Sequence, residues 1–265
     1  MRFTGFIHLK NKANRDEPLS ASEAVDWIKK NAAHTIEAYK TKKNCRIYRG
    51  AFSNHKCYLV DPSKSPDRPS ANTESYYTFF INNDKSWSKY PKREIICTSS
   101  YSEAFSGDTF VVIPEDSAKV GICPGKDMWD TVTKYGGPQE VNRNITGAAL
   151  NILESGRYTA RQLGIGVHID NYSKLKKLFN VFDRVKKESI TLLENSCALM
   201  SDFSVSNMTF YDFYASIMNP TKLKFKSVNV GDSLPSPREV WTDAKCLLIN
   251  ASTGIRDFET YLKQF

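Results

Sequence analysis

The run Arg93-Glu94-Ile95-Ile96-Cys97-Thr98-Ser99-Ser100 constrains this chain more than any other stretch. Its apolar, β-prone residues favour an extended strand, and it ends in three consecutive hydroxyl residues before the chain breaks at Gly107. That pattern predicts a strand delivering polar side chains to the edge of a sheet. Two further stretches read as its partners. Cys45-Arg46-Ile47-Tyr48-Arg49-Gly50-Ala51 is a short strand with an arginine beside a glycine, and Pro237-Arg238-Glu239-Val240-Trp241 opens a strand that continues through Leu247-Leu248-Ile249.

The remaining elements follow from periodicity and turn chemistry. Ser20, with Glu23 three residues on, marks a capping box, so a helix is expected from there to about Tyr39 with Ala24, Val25, Trp27, Ile28 and Ile36 on its apolar face. Further strands are expected at 57–60, 109–114, 118–123 and 222–230, with 109–114 and 118–123 forming a meander with the hydroxyl strand. Residues 61–75 are rich in Pro, Ser, Asp and Asn and read as a loop. Tyr76, Tyr77, Phe79, Phe80, Trp87 and Tyr90 follow as an aromatic cluster, with core packing the heavier expectation and ring stacking on a ligand the alternative.

Amphipathic patterns over 144–154, 172–193 and 209–217 predict a helical block at 126–220 inserted into a single domain covering 1–265. Lys174, Lys176, Lys177, Arg184, Lys186 and Lys187 crowd its middle helix, either as a phosphate-facing surface or as a solvated face. Gly164-Ile165-Gly166 lacks a third glycine and is no dinucleotide fingerprint. A last helix is expected over 253–265.

Bulk properties narrow the class. The 265 residues, 40% hydrophobic and 25% charged, suit one sizeable core and exclude wholesale disorder. A formal net charge of +8 favours phosphate-bearing partners. Six cysteines without a C-x-x-C pair read as buried free thiols, with no metal site expected. Neither a signal peptide nor a long apolar run is visible, so the expectation is a soluble, cytoplasmic protein with no membrane partner.

An arginine, a hydroxyl cluster and a glutamate on three strands resemble the arginine–serine–glutamate class of ADP-ribosyltransferases, over roughly residues 20–125 and 228–250. The resemblance implies an α+β fold of two apposed antiparallel-rich sheets around an NAD cleft with flanking helices. It implies that Arg49, with Gly50 beside it, anchors NAD, that Thr98 and Ser99 orient the catalytic glutamate, and that Glu239 bonds the ribose 2′-hydroxyl. Ser100, Tyr48, Tyr76 and Tyr77 are further candidates for contact with NAD. Alignment on Ala104 instead of Thr98 puts Cys97 in the family serine's place, and that alternative stays open.

Pro237 stands two residues before Glu239, where arginine-modifying members carry Glu or Gln, which weighs against a protein-arginine acceptor. The expected activity is therefore NAD-dependent ADP-ribosyl transfer to a macromolecule, nucleic acid (RNA or DNA) first and protein second. NAD glycohydrolysis is an alternative within the same chemistry, and a non-catalytic nucleic-acid-binding protein is the alternative from another class. Such a transferase is expected to be toxic, which fits a bacterial or phage conflict role and an inhibitory partner protein.

Overall fold

A computed structural model describes residues 16–64, 76–104, 107–132, 138–157, 159, 171–251 and 262–263. The expectations for 164–166, for the loop beyond 64 and for most of the final helix lie outside them. The described chain forms two compact units, one drawing on residues 16–64, 89–127 and 224–263, the other on 76–88 and 128–223. Tyr76 to Ser88, which precedes the hydroxyl strand in sequence, falls in the same unit as residues 128–223.

The first unit is built on one nine-stranded antiparallel sheet. Its strands are β1 (Asp16–Pro18), β2 (Ile47–Ala51), β3 (Cys57–Val60), β4 (Ile95–Thr98), β5 (Asp108–Pro114), β6 (Lys119–Ile122), β7 (Lys226–Asn229), β8 (Glu239–Thr242) and β9 (Cys246–Asn250). They lie in the order β1-β3-β9-β5-β2-β4-β8-β6-β7. The α+β class holds, while the expected pair of apposed sheets is corrected: hydrogen bonds join the nine described strands into one sheet. The join is thin at its centre, where β2 and β4 share the single pair Tyr48↔Thr98. By contrast, β2 and β5 pair continuously from Ile47↔Val112 to Ala51↔Asp108.

Two other expectations change. The hydroxyl strand β4 pairs with β2 and β8, whereas β5 pairs with β2 and β9, so no meander forms. The apolar run 239–249 is two strands, because Thr242 Oγ1 accepts the Ala244 N–H and Asp243 accepts the Lys92 N–H, turning the chain. β8 then stays beside β4 while β9 crosses to β3 and β5. Gly107, at φ +93°, admits the turn into β5, since a Cβ there would sit 2.5 Å from the Ala51 carbonyl oxygen.

The predicted capping box is present. Ser20 Oγ accepts the Glu23 N–H at 3.3 Å and Glu23 accepts the Ser20 N–H at 2.8 Å, a pairing that contributes about 1 kcal/mol. The helix it starts is broken into α1 (Ala21–Asn31) and α2 (Ala33–Thr41). The cause is tertiary: the Asp116 carboxylate accepts the N–H groups of His34 and Thr35 and the Thr35 hydroxyl, making a fresh N-terminus for α2. Ile28, Ile36 and Tyr39 are buried in the same core as Val111, Val112 and Leu248. The Tyr39 hydroxyl donates to the Val112 carbonyl at 2.9 Å.

The second unit is helical, as its periodicity predicts. It comprises α3 (Tyr76–Asn83), α4 (Met128–Thr131), α5 (Pro138–Glu154), α6 (Tyr172–Glu188), α7 (Ile190–Glu194), α8 (Ala198–Ser204) and α9 (Phe210–Ile217). The Phe210 ring is its hub, with centroids 4.9 Å from Phe179, 4.7 Å from Phe182 and 5.0 Å from Phe203. Such aromatic pairs add about 0.5–1.5 kcal/mol each beyond the area they bury. Lys186 is no phosphate-facing residue. Its ammonium donates to the Phe203 and Met208 carbonyls and lies 4.1 Å from the Phe203 ring centroid, which ties α6 to the end of α8. Among the described residues no helix is long and apolar enough to cross a membrane.

Candidate functional site

β4 sits between β2 and β8, so the three strands carrying the arginine, the hydroxyls and the glutamate are neighbours. Their register lines up Tyr48, Thr98 and Glu239 as successive cross-strand partners. Residues directly opposite in antiparallel strands share a face, so a phenol, a hydroxyl and a carboxylate form one row across the centre of the sheet. This row crosses the single-pair seam between β2 and β4.

Glu239 is held by a residue that sequence reasoning did not single out. Arg93 donates from Nη2 to Glu239 Oε1 at 2.7 Å and from Nε to the same oxygen at 3.1 Å. The Arg93 side chain is 4% exposed and that of Glu239 12%. A buried charge needs an opposite charge and hydrogen bonds, and each of these residues answers the other's need. Cys123 Sγ lies 3.9 Å from the same carboxylate oxygen. The Glu239 main chain is pinned as well, its N–H donating to the Lys126 carbonyl at 2.7 Å and its carbonyl accepting the Cys123 N–H at 3.0 Å. Beside it, Lys126 pairs with Glu103 at 3.0 Å. The signal for Arg93 was a charge at the head of an otherwise apolar strand.

The hydroxyls bond to main chain or to each other, not to the carboxylate. Ser99 Oγ donates to the Pro235 carbonyl at 2.7 Å and accepts the Arg238 N–H at 3.0 Å, while the Ser99 N–H donates to the Arg238 carbonyl at 2.9 Å. Ser99 thus stitches the segment that leads into β8 and fixes where Glu239 begins. Thr98 Oγ1 accepts the Ser100 N–H at 3.1 Å, which turns the chain out of the strand, and Ser100 Oγ lies 3.0 Å from Ser102 Oγ. Cys97, the alternative to Thr98, is buried with its thiol turned to the Ile95 carbonyl.

Arg49 follows Tyr48 and so projects from the opposite side of β2. It is half-buried, and its Nη1 donates to the Ile96 carbonyl of β4 at 3.4 Å, across the seam. It also lies close enough to Tyr58 to pull that phenol's pKa down, against the larger effect of burial, which pushes it up to about 12. Gly50 pairs with Thr109 in β5. The Tyr48 ring is 5% exposed and packs edge-on against Tyr101 at 5.7 Å, whose hydroxyl donates to the Ala251 carbonyl. Tyr76 and Tyr77 are buried in the helical unit, where the Tyr76 hydroxyl meets Thr146 Oγ1 at 3.1 Å.

Cys45, Cys57, Cys97, Cys123 and Cys246 are buried free thiols and Cys197 is half-buried. Burial pushes Cys45, Cys57 and Cys197 above the usual thiol range, which suits packing rather than nucleophilic attack. Among the described residues no group of His, Cys, Asp and Glu is gathered to hold a metal ion. No protein-family model, curated protein or solved structure matches this chain.

Proposed function

We propose that the sheet unit is an NAD-dependent ADP-ribosyltransferase that modifies a macromolecule, with nucleic acid the favoured acceptor. The observation that carries this reading is the adjacency of β2, β4 and β8, which makes Thr98 and Glu239 direct cross-strand neighbours and brings Arg49 of β2 to the Ile96 carbonyl of β4. The donor set suits NAD. A guanidinium binds pyrophosphate oxygens through a fixed fork of donors, and a carboxylate accepts from a ribose hydroxyl and stabilises the positive charge that develops on the sugar.

In this reading Glu239 accepts from the ribose 2′-hydroxyl, and Arg49, which alternates to the other side of β2, anchors the pyrophosphate by reaching across the β2–β4 seam, the direction its contact with the Ile96 carbonyl takes. Ser99 positions Glu239 through the main chain of Pro235 and Arg238. Arg93 holds the carboxylate directly, the role that the family pattern gives to a serine. The bond between nicotinamide nitrogen and ribose C1′ breaks with its electron pair leaving on nicotinamide, and an acceptor lone pair forms the new bond to C1′ as the acceptor loses its proton. Glu239 steers that attack.

The test is incubation of the purified protein with NAD labelled in its adenylate moiety and separate pools of RNA, DNA and protein, beside Glu239→Gln. Label in the RNA or DNA pool that vanishes with the variant supports the reading. Label in the protein pool alone moves the acceptor to protein, and free nicotinamide without labelled polymer makes the protein a glycohydrolase. No NAD consumption in any pool overturns the proposal.

A further inference from the structure

We infer that the β6–β7 edge of the sheet carries a docking groove for the phosphodiester backbone of a single-stranded polynucleotide. A groove of about 580 Å³ opens there, with Lys89, Tyr90, Lys119, Lys226, Ser227 and Asn229 in its wall. The three lysines are exposed, and among the described residues none of them forms an ion pair. Among the described residues the acid on the wall is Asp232, which accepts the Asn229 N–H at 3.0 Å and closes a turn. The groove is therefore a patch of net positive charge.

Its position relates it to Glu239. The register aligns Ser227 with Gly121 and Gly121 with Trp241, and it pairs Lys119 with Asn229 two residues along. Trp241 is two residues from Glu239 on β8, so Ser227, Lys119 and Asn229 share the face that carries the glutamate, while Lys226, next to Ser227, alternates to the other face and meets the groove at the edge of the sheet. β7 is the last strand of the sheet and lies two strands from β8, roughly 10 Å at the usual strand spacing.

Three features select a polynucleotide. The lysines come from three separate segments, ahead of β4, on β6 and on β7, so they meet several phosphates in succession rather than one. An aromatic side chain, Tyr90, belongs to the same wall, its hydroxyl donating to the Phe225 carbonyl at 3.2 Å, and aromatic rings among lysines are the pairing by which proteins hold unpaired bases. The Ser227 hydroxyl is buried without a hydrogen-bond partner, the condition of a polar group placed for something other than stability. The groove's catalytic meaning, presentation of the acceptor to Glu239, rests on the transferase reading. Binding itself does not.

The test measures fluorescence anisotropy of a labelled single-stranded RNA and its DNA counterpart over a salt series. Wild type and a triple Lys89→Gln, Lys119→Gln, Lys226→Gln variant are compared. Losing three phosphate contacts lowers the slope of log affinity against log salt by about 2, which amounts to on the order of a hundredfold weaker binding at 0.1 M salt if affinities converge at 1 M. RNA bound more tightly than DNA, or the reverse, identifies the polymer, and either supports the groove.

Should the triple variant melt early, Lys119→Gln and Lys226→Gln are each expected to lower the slope by about 0.7. Affinity and slope unchanged in these variants overturn the inference, and so does poly-glutamate competing as well as polyuridylate, which assigns the groove to an acidic protein. Groove-dependent binding without NAD turnover sinks the transferase reading and leaves the groove standing. NAD-labelled RNA formed equally by the triple variant does the opposite.

Discussion

Removal of Arg93 from beside Glu239 is the perturbation whose size the structure fixes best. The Arg93 side chain is 4% exposed and Glu239 12%, and two guanidinium N–H groups converge on one carboxylate oxygen at 2.7 and 3.1 Å. Breaking a buried ion pair from one side costs about 3–5 kcal/mol, because the remaining charge keeps its desolvation penalty and loses its partner. Glu239 retains some contact with water, so Arg93→Met is expected near the lower end, about 3 kcal/mol. Glu239→Gln keeps a carbonyl acceptor for Arg93 but leaves that guanidinium, the more deeply buried of the two, facing a neutral amide, so its cost is of similar size, about 3 kcal/mol. In the double variant both charges are gone, and the loss falls well below the sum, giving a coupling energy of about 2 kcal/mol. The assay is urea unfolding followed by tryptophan fluorescence, read as a change in midpoint at constant slope. Additive losses, or a cost below about 1 kcal/mol for Arg93→Met, would refute the claim that this pair is a coupled, desolvated unit.

Two more predictions concern the frame around that pair. A Cβ on Gly121 would stand 2.3 Å from Trp241 Cε2, and Trp241 is fully buried with its indole N–H donating to the Pro91 carbonyl at 2.9 Å. Gly121→Ala is therefore expected to cost about 1–3 kcal/mol by overpacking, seen as a lower melting temperature and a changed near-ultraviolet tryptophan signal. Tyr58, whose pKa burial raises from 10.0 to about 12, makes stability fall at high pH. Above pH 10 the unfolded chain releases the Tyr58 proton while the folded chain keeps it, so the folded state binds more protons and stability declines as pH rises. The contribution is intact below pH 10 and lost by about pH 12, an amount on the order of 2–3 kcal/mol. Urea midpoints between pH 8 and pH 11 for wild type and Tyr58→Phe check it, the variant showing the shallower decline.

What the sequence disclosed and what it withheld divide along contact range. β-branched runs announced β2, β4 and β5, the Ser20–Glu23 box announced α1, and the period of apolar residues in 172–193 announced α6. The break between α1 and α2 was silent because its cause, Asp116, lies far along the chain on the turn between β5 and β6. The division of 239–249 into β8 and β9 was silent for the same reason, since both halves are apolar and only their distant partners distinguish them. At the site, residue types drew attention to Arg49, Thr98, Ser99 and Glu239, and the topology makes their strands neighbours. The Arg93–Glu239 pair spans 146 residues and the Ser99–Arg238 bond 139, separations at which no local spacing carries a signal. Tyr76 and Tyr77 were grouped with the hydroxyl strand by nearness in sequence, and they pack instead in the helical unit.

The most direct measurement is nicotinamide release from NAD by the wild-type protein and by Glu239→Gln, with folding of both verified by their urea midpoints. The transferase account predicts release by the wild type, stimulated by the acceptor polymer, and a loss of at least about a hundredfold in the variant, the scale seen when a group that stabilises transition-state charge is removed. Equal release by both proteins, or none by a folded wild type with every acceptor pool supplied, contradicts it.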